Sequence, residues 1–123
     1  ELSGGELARV LMARVLAQET PVVLADEPTA GLDPAHNLSV MSLFRALAGE
    51  GKSIIASTHD LGLAAAHCTR LLILDAGRIV ADGPPSEIIT ADRLRAVYGV
   101  ESFIGTDAGR MIVQPIALAK SGR

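Results

Sequence analysis

An α/β fold is what the sequence predicts. Three observations carry it. Short unbroken apolar runs such as Val22-Val23-Leu24-Ala25 end on polar or acidic residues, stretches of helical periodicity lie between those runs, and Pro, Gly and Asp mark the seams. Strands that are apolar on both faces belong to parallel sheets covered on both sides. Strands that alternate with helices imply right-handed crossovers.

The elements follow in order. Ser3 with Glu6 three residues on forms a capping-box pattern. Leu7, Val10, Leu11, Val15 and Leu16 then predict a helix over Glu6 to Gln18, ended by Thr20-Pro21. Val22 to Ala25 is a buried strand stopped by Asp26-Glu27. Pro34 opens a helix to about Ala48, with Leu38, Met41, Leu43, Phe44 and Leu47 as its apolar residues and Gly49-Glu50-Gly51 closing it. Ser53 to Thr58 is the next strand, Asp60 to about Cys68 a short Ala-rich helix, and Leu71 to Asp75 a third strand.

The pattern changes after Asp75. Ala76-Gly77 predicts a tight turn, with Arg78 to Ala81 pairing back as a hairpin. Ser86 and Thr90 are candidate caps for two short helices ending near Tyr98-Gly99. Ser102 to Thr106 and Met111 to Ile116 predict a final hairpin around Asp107-Ala108-Gly109.

Composition sets limits on function. The chain has 123 residues, enough for one domain. It is 49% apolar and only 2% aromatic, so its core is built of Ala, Leu, Ile and Val. A net charge of -3 without a basic cluster argues against nucleic acid as a partner. Cys68 is the sole cysteine, so no internal disulfide forms, which suits a reducing compartment. No cationic, apolar leader opens the chain, and no apolar run approaches the ~20 residues of a membrane helix. A soluble chain, or one held at a membrane by a partner, is expected. The start at Glu1, already inside a motif, leads us to expect a piece of a longer protein.

Three clusters carry chemistry. Ser3-Gly4-Gly5 places a hydroxyl and two backbone amides without side chains at a helix N-terminus, where the dipole favours an anion. The same residues also read as an ordinary helix cap. Asp26-Glu27 ends an apolar strand, the side of an open α/β sheet where ligands bind. Asp26 there suits Mg²⁺ and Glu27 a general base, though acids are also common at solvated strand ends. Thr58-His59-Asp60 ends the next strand, where a neutral His59 could hydrogen-bond a phosphate, although a lone His is more often structural.

Together these words resemble the ATP-binding-cassette family. Leu2-Ser3-Gly4-Gly5-Glu6 resembles its signature motif, with Glu6 in place of the commoner Gln. Val22 to Glu27, continued by Pro28-Thr29, looks like the Walker B strand, Ala30-Gly31-Leu32-Asp33 like the D-loop, and His59 like the switch histidine. The resemblance implies a partial P-loop NTPase (RecA-like) sheet with flanking helices, a C-terminal β-hairpin and short helices. Residues 1–123 would be the C-terminal part of one nucleotide-binding domain, with 1–75 running from the signature through the switch histidine and 76–123 forming an extension.

It also implies roles. Asp26 would organise Mg²⁺, Glu27 would be the base for ATP hydrolysis, and His59 would contact the γ-phosphate. Asp33 would cross a dimer interface, and Ser3, Gly4 and Gly5 would grip ATP bound to the opposite subunit. The partners implied are a second ATPase subunit, transmembrane permease subunits and, indirectly, a periplasmic or extracellular binding protein. The place implied is the cytoplasmic face of the membrane.

A phosphate loop is missing from the sequence. Gly51-Lys52-Ser53 imitates its end, but Ala46 stands where the first Gly belongs, and helix precedes strand instead of following it. In the family the strand leading to that loop lies between the strands matching Ser53–Thr58 and Leu71–Asp75. The 123-residue piece alone is therefore expected to be marginally folded and without ATPase activity. Gly77-Arg78-Ile79, Asp82-Gly83-Pro84, Ala35-His36-Asn37 and Leu94 to Val100 look most like importers of iron-siderophores, haem and cobalamin. A soluble ATPase of translation or DNA repair and a non-catalytic truncated fragment remain as alternatives. His36, His67 and Cys68 read as surface or packing residues, and His67-Cys68 as no metal pair, since adjacent helical residues diverge.

Overall fold

The computed structural model describes residues 21–120. The helix expected over Glu6 to Gln18 and the Ser3-Gly4-Gly5 run lie outside the described residues. The chain divides into two units, Glu1–His59 and Asp60–Arg123.

In the first unit, β1 (Val22–Asp26), α1 (Pro34–Gly49) and β2 (Ser53–Ser57) form a β–α–β crossover. Asp33 is the N-cap of α1, and Pro34 occupies its first turn, where a missing N–H is no loss. Gly51 at φ +98° takes the left-handed backbone that turns the chain into β2. The strands pair in parallel, from Val22 opposite Ser53 to Asp26 opposite Ser57. Alternation places Val23 and Ile54 against Leu43 and Leu47 of α1. The opposite face presents Leu24, 75% exposed, and Ile55, 59% exposed. Among the described residues, then, α1 covers only one of the two faces whose apolar sequence asks for cover. β2 ends one residue before the expected Thr58.

The second unit comprises α2 (Leu61–His67), β3 (Leu71–Asp75), β4 (Arg78–Gly83), α3 (Pro85–Ile88), α4 (Ala91–Tyr98), β5 (Val100–Asp107) and β6 (Arg110–Leu118). β3–β4 and β5–β6 are antiparallel hairpins. Their turns place Ala76 and Gly77 at φ +52° and +78°, and Ala108 and Gly109 at +51° and +78°. Two successive left-handed residues are the turn that suits the twist of a hairpin. Ala65, Ile73, Ile88, Ile89, Leu94 and Val113 form the core of this unit. Helix α2 lies so close to β6 that a Cβ on Gly62 would stand 2.8 Å from the Val113 carbonyl oxygen.

Polar contacts fasten the periphery. The Arg70 guanidinium donates two bonds to the Asp82 carboxylate, each 2.7 Å, clamping the start of β3 to the end of β4. Arg95 donates to Asp92 and to Glu101, tying α4 to β5. Thr90 caps α4 by accepting the Arg93 N–H, as the sequence leads one to expect. Ser86 does not cap α3; Pro84 holds the N-cap position and Pro85 opens the helix.

Among the described residues β2 pairs only with β1 and β3 only with β4. The strand that the resemblance implies between β2 and β3 is not one of the described strands. No helix among the described residues is long and apolar enough to cross a membrane.

Candidate functional site

The carboxyl ends of β1 and β2 collect the polar groups. Parallel register sets Asp26 beside Ser57 although 31 positions separate them in sequence. The Ser57 hydroxyl donates to Asp26 Oδ1 at 2.6 Å. The same Oγ accepts the Glu27 backbone N–H at 3.0 Å, and the Ser57 carbonyl accepts it at 3.1 Å. Glu27 has φ +46°, a left-handed conformation that costs a non-glycine residue on the order of 1–2 kcal/mol. Strain of this kind persists where surrounding contacts hold it in place.

Glu27 then meets His59. Nε2 of His59 lies 3.1 Å from Glu27 Oε1, with the His59 side chain 91% and the Glu27 side chain 44% exposed. With Glu27 ionised, the ring donates through Nε2–H. Both groups are open to an incoming ligand. Past Glu27 the chain makes consecutive turns, with Ala30 N–H donating to Glu27 O and Leu32 N–H to Thr29 O. Gly31 takes φ +77°. The turns deliver Asp33 to the start of α1, where its Oδ1 accepts the His36 backbone N–H at 2.9 Å and stands 2.8 Å from His36 Nδ1.

The arrangement can hold a hard cation and polarise a water. Asp26 offers carboxylate oxygen at a strand end. Among the described residues no three His, Cys, Asp or Glu side chains converge as a metal cage. That donor set fits Mg²⁺, which commonly takes one or two carboxylates and draws its other ligands from phosphate and water.

Of the residues singled out from sequence, Glu27 and His59 are in direct contact, and Asp26 is linked to Glu27 through the Ser57 hydroxyl. Asp33 stands at the next helix start, and Ser3, Gly4 and Gly5 lie outside the described residues. Ser57 and His36 are additions. The signal for His36 was local, since a residue three beyond an Asp N-cap faces that cap. For Ser57 the only signal was its strand-end position, and its partner depends on register. His67 accepts from Arg110 Nη1 at 3.0 Å. Cys68 is half-buried, and that burial pushes its thiol above its ordinary value.

Comparison with known proteins gives a consistent set of likenesses. The family described as ABC transporter matches residues 1–30. The hemin import ATP-binding protein HmuV of Nocardia farcinica is 48% identical over 94% of this chain and 41% of its own length. HmuV of Rhodococcus jostii is 50% identical over 93% of this chain and 40% of its own length. The cobalamin import ATP-binding protein BtuD of Halobacterium salinarum is 43% identical over 94% and 30%. The chain thus spans less than half the length of these relatives. Among solved structures, a metal-chelate-type ABC transporter in an inward-facing conformation matches with a TM-score of 0.79 and 27% identity, over 97% of this chain and 48% of that one. A dimeric ATP-binding cassette in a post-hydrolysis state bound to ADP and Pi matches with a TM-score of 0.57 and 34% identity, over 68% of this chain and 36% of that one.

Proposed function

Because this chain belongs to the ABC transporter family, we propose that it is part of an ATP-hydrolysing subunit that powers uptake of a metal chelate through a membrane permease. The substrate class is haem, cobalamin or an iron-siderophore. The names of the HmuV and BtuD relatives support that class, and so does the likeness to a metal-chelate-type transporter. The protein works as a dimer of two such subunits on permease subunits at the cytoplasmic face of the membrane, fed indirectly by a periplasmic or extracellular binding protein. The dimeric cassette among the structural matches supports the pairing.

One observation carries the reading most: Asp26, Glu27 and His59 meet at the carboxyl ends of a parallel strand pair, with His59 Nε2 3.1 Å from Glu27 Oε1. Each group has a task. Asp26 holds Mg²⁺, which when bound offsets the phosphate charge. Glu27 accepts a proton from the attacking water. His59 donates Nε2–H to a γ-phosphate oxygen. That same N–H is directed at Glu27 Oε1 in the structure. Transfer of the His59 bond to phosphate therefore frees the Glu27 carboxylate for water. Asp33, fixed at the helix start by His36, reaches across to the partner subunit, and Ser3, Gly4 and Gly5 grip the nucleotide bound there.

The test uses the full-length protein that contains this sequence. Glu27→Gln should retain ATP binding and ATP-driven dimerisation while hydrolysis falls by about 10²–10⁴-fold, the range of a general base. Turnover at the wild-type rate would remove Glu27 from that role.

A further inference from the structure

We propose that Ser57 is a positioning residue that aims the Asp26 carboxylate at its cation and locks the Glu27 backbone beside it. The inference rests on the reading of Asp26 and Glu27 given above and assigns a task to a side chain outside the sequence motifs.

The geometry is a bridge through one atom. Ser57 Oγ donates its single proton to Asp26 Oδ1 at 2.6 Å and accepts the Glu27 N–H at 3.0 Å. A hydroxyl is a donor and an acceptor at once, so it can serve both neighbours without conflict. The Asp26 bond is short, as expected when a hydroxyl meets an ionised carboxylate. It restrains the rotation of the Asp26 carboxyl, and with Oδ1 so held the direction of the other oxygen follows. Glu27 needs a different service. Its φ of +46° places the side chain off the path a strand would give it. Its N–H is held twice by Ser57, through Oγ and through the backbone carbonyl at 3.1 Å. The spatial relation of the two carboxylates is therefore set through residue 57.

The double hold also makes the hydroxyl separable from the fold. Removing Oγ leaves the Glu27 N–H its carbonyl partner and leaves the strand register intact. What is lost is the donor to Asp26 and one of the two acceptors of the Glu27 N–H. Partners of this kind typically contribute 10–100-fold to metal affinity or activity.

The experiment compares Ser57→Thr with Ser57→Val in the full-length protein. The two side chains have nearly the same shape, suit a strand equally and differ by the hydroxyl. Mn²⁺, bound in place of Mg²⁺ with a non-hydrolysable ATP analogue, is followed by electron paramagnetic resonance, and melting temperature is recorded alongside. S57T should bind Mn²⁺ within about threefold of wild type. S57V should bind about ten- to a hundredfold more weakly, with kcat lowered and the KM for ATP little changed. Wild-type Mn²⁺ affinity in S57V overturns the proposal, and so does equal weakening in both variants. A Glu27→Gln protein that still hydrolyses ATP sinks the base assignment, whereas wild-type Mn²⁺ binding in S57V beside an inactive Glu27→Gln sinks the Ser57 assignment alone.

Discussion

The parallel pair β1–β2 and the two hairpins each place a non-glycine residue in the left-handed region, and they do so for different reasons. Ala76 and Ala108, at φ +52° and +51°, are each followed by a left-handed glycine in a two-residue turn. The twist of the flanking strands favours that turn, so tertiary structure as a whole repays the local strain. Glu27, at φ +46°, lies in no hairpin and precedes Pro28, a setting that favours extended backbone. Its backbone N–H is held by the Ser57 hydroxyl and carbonyl oxygens. The second unit uses its strand ends to close on itself, whereas the described strand ends of the first are polar and exposed. Packing follows the same division. Among the described residues, six buried side chains form the core cluster of the second unit and three the cluster beneath β1.

This division can be broken in the second unit first. Leu94 is fully buried at the centre of that core. Leu94→Ala should lower the unfolding free energy of the full-length protein by about 2–5 kcal/mol in denaturant titration. ATP hydrolysis per folded molecule should be unchanged. Gly62→Ala should cost about 1–3 kcal/mol, because the Cβ would meet backbone that cannot swing aside. A variant as stable as wild type would show that α2 does not press on β6 as closely as 2.8 Å implies.

The smallest effect is electrostatic. The hydrogen bonds from Arg70, then its charge, hold the Asp82 carboxyl below its ordinary value. A carboxyl lowered on folding contributes stability above its unfolded pKa, and loses that contribution as pH falls through its folded pKa. Asp82→Asn should therefore be slightly less stable than wild type at neutral pH. The gap should close in acid, below the ordinary carboxylate range. A gap that widens in acid would reverse the assignment.

Much of this was legible in the sequence because its causes are local. Asp33 before Pro34, Thr90 before the last helix and the Ala-Gly turns fix their elements within a few residues. Asp26, Glu27 and His59 were legible because polar residues that end apolar strands gather on one side of an α/β sheet. Ser57 was not, since its meaning depends on which residue of β1 stands opposite. Ser86 misled as a cap because Pro85 at the first helical position suits Pro84 before it. The exposure of Leu24 and Ile55 among the described residues was not legible for a related reason. An apolar run announces that a strand needs cover, but the cover comes from elsewhere in the chain.

We propose that Glu27 is held in a strained backbone for the sake of its carboxylate. Glu27→Gly in the full-length protein tests it in one pair of measurements, ATP hydrolysis and thermal unfolding. Glycine adopts positive φ without steric cost, so the strain disappears together with the base. The expected result is at least a hundredfold loss of hydrolysis with a melting temperature equal to or above wild type. Hydrolysis at the wild-type rate, or a melting temperature several degrees lower, would contradict it.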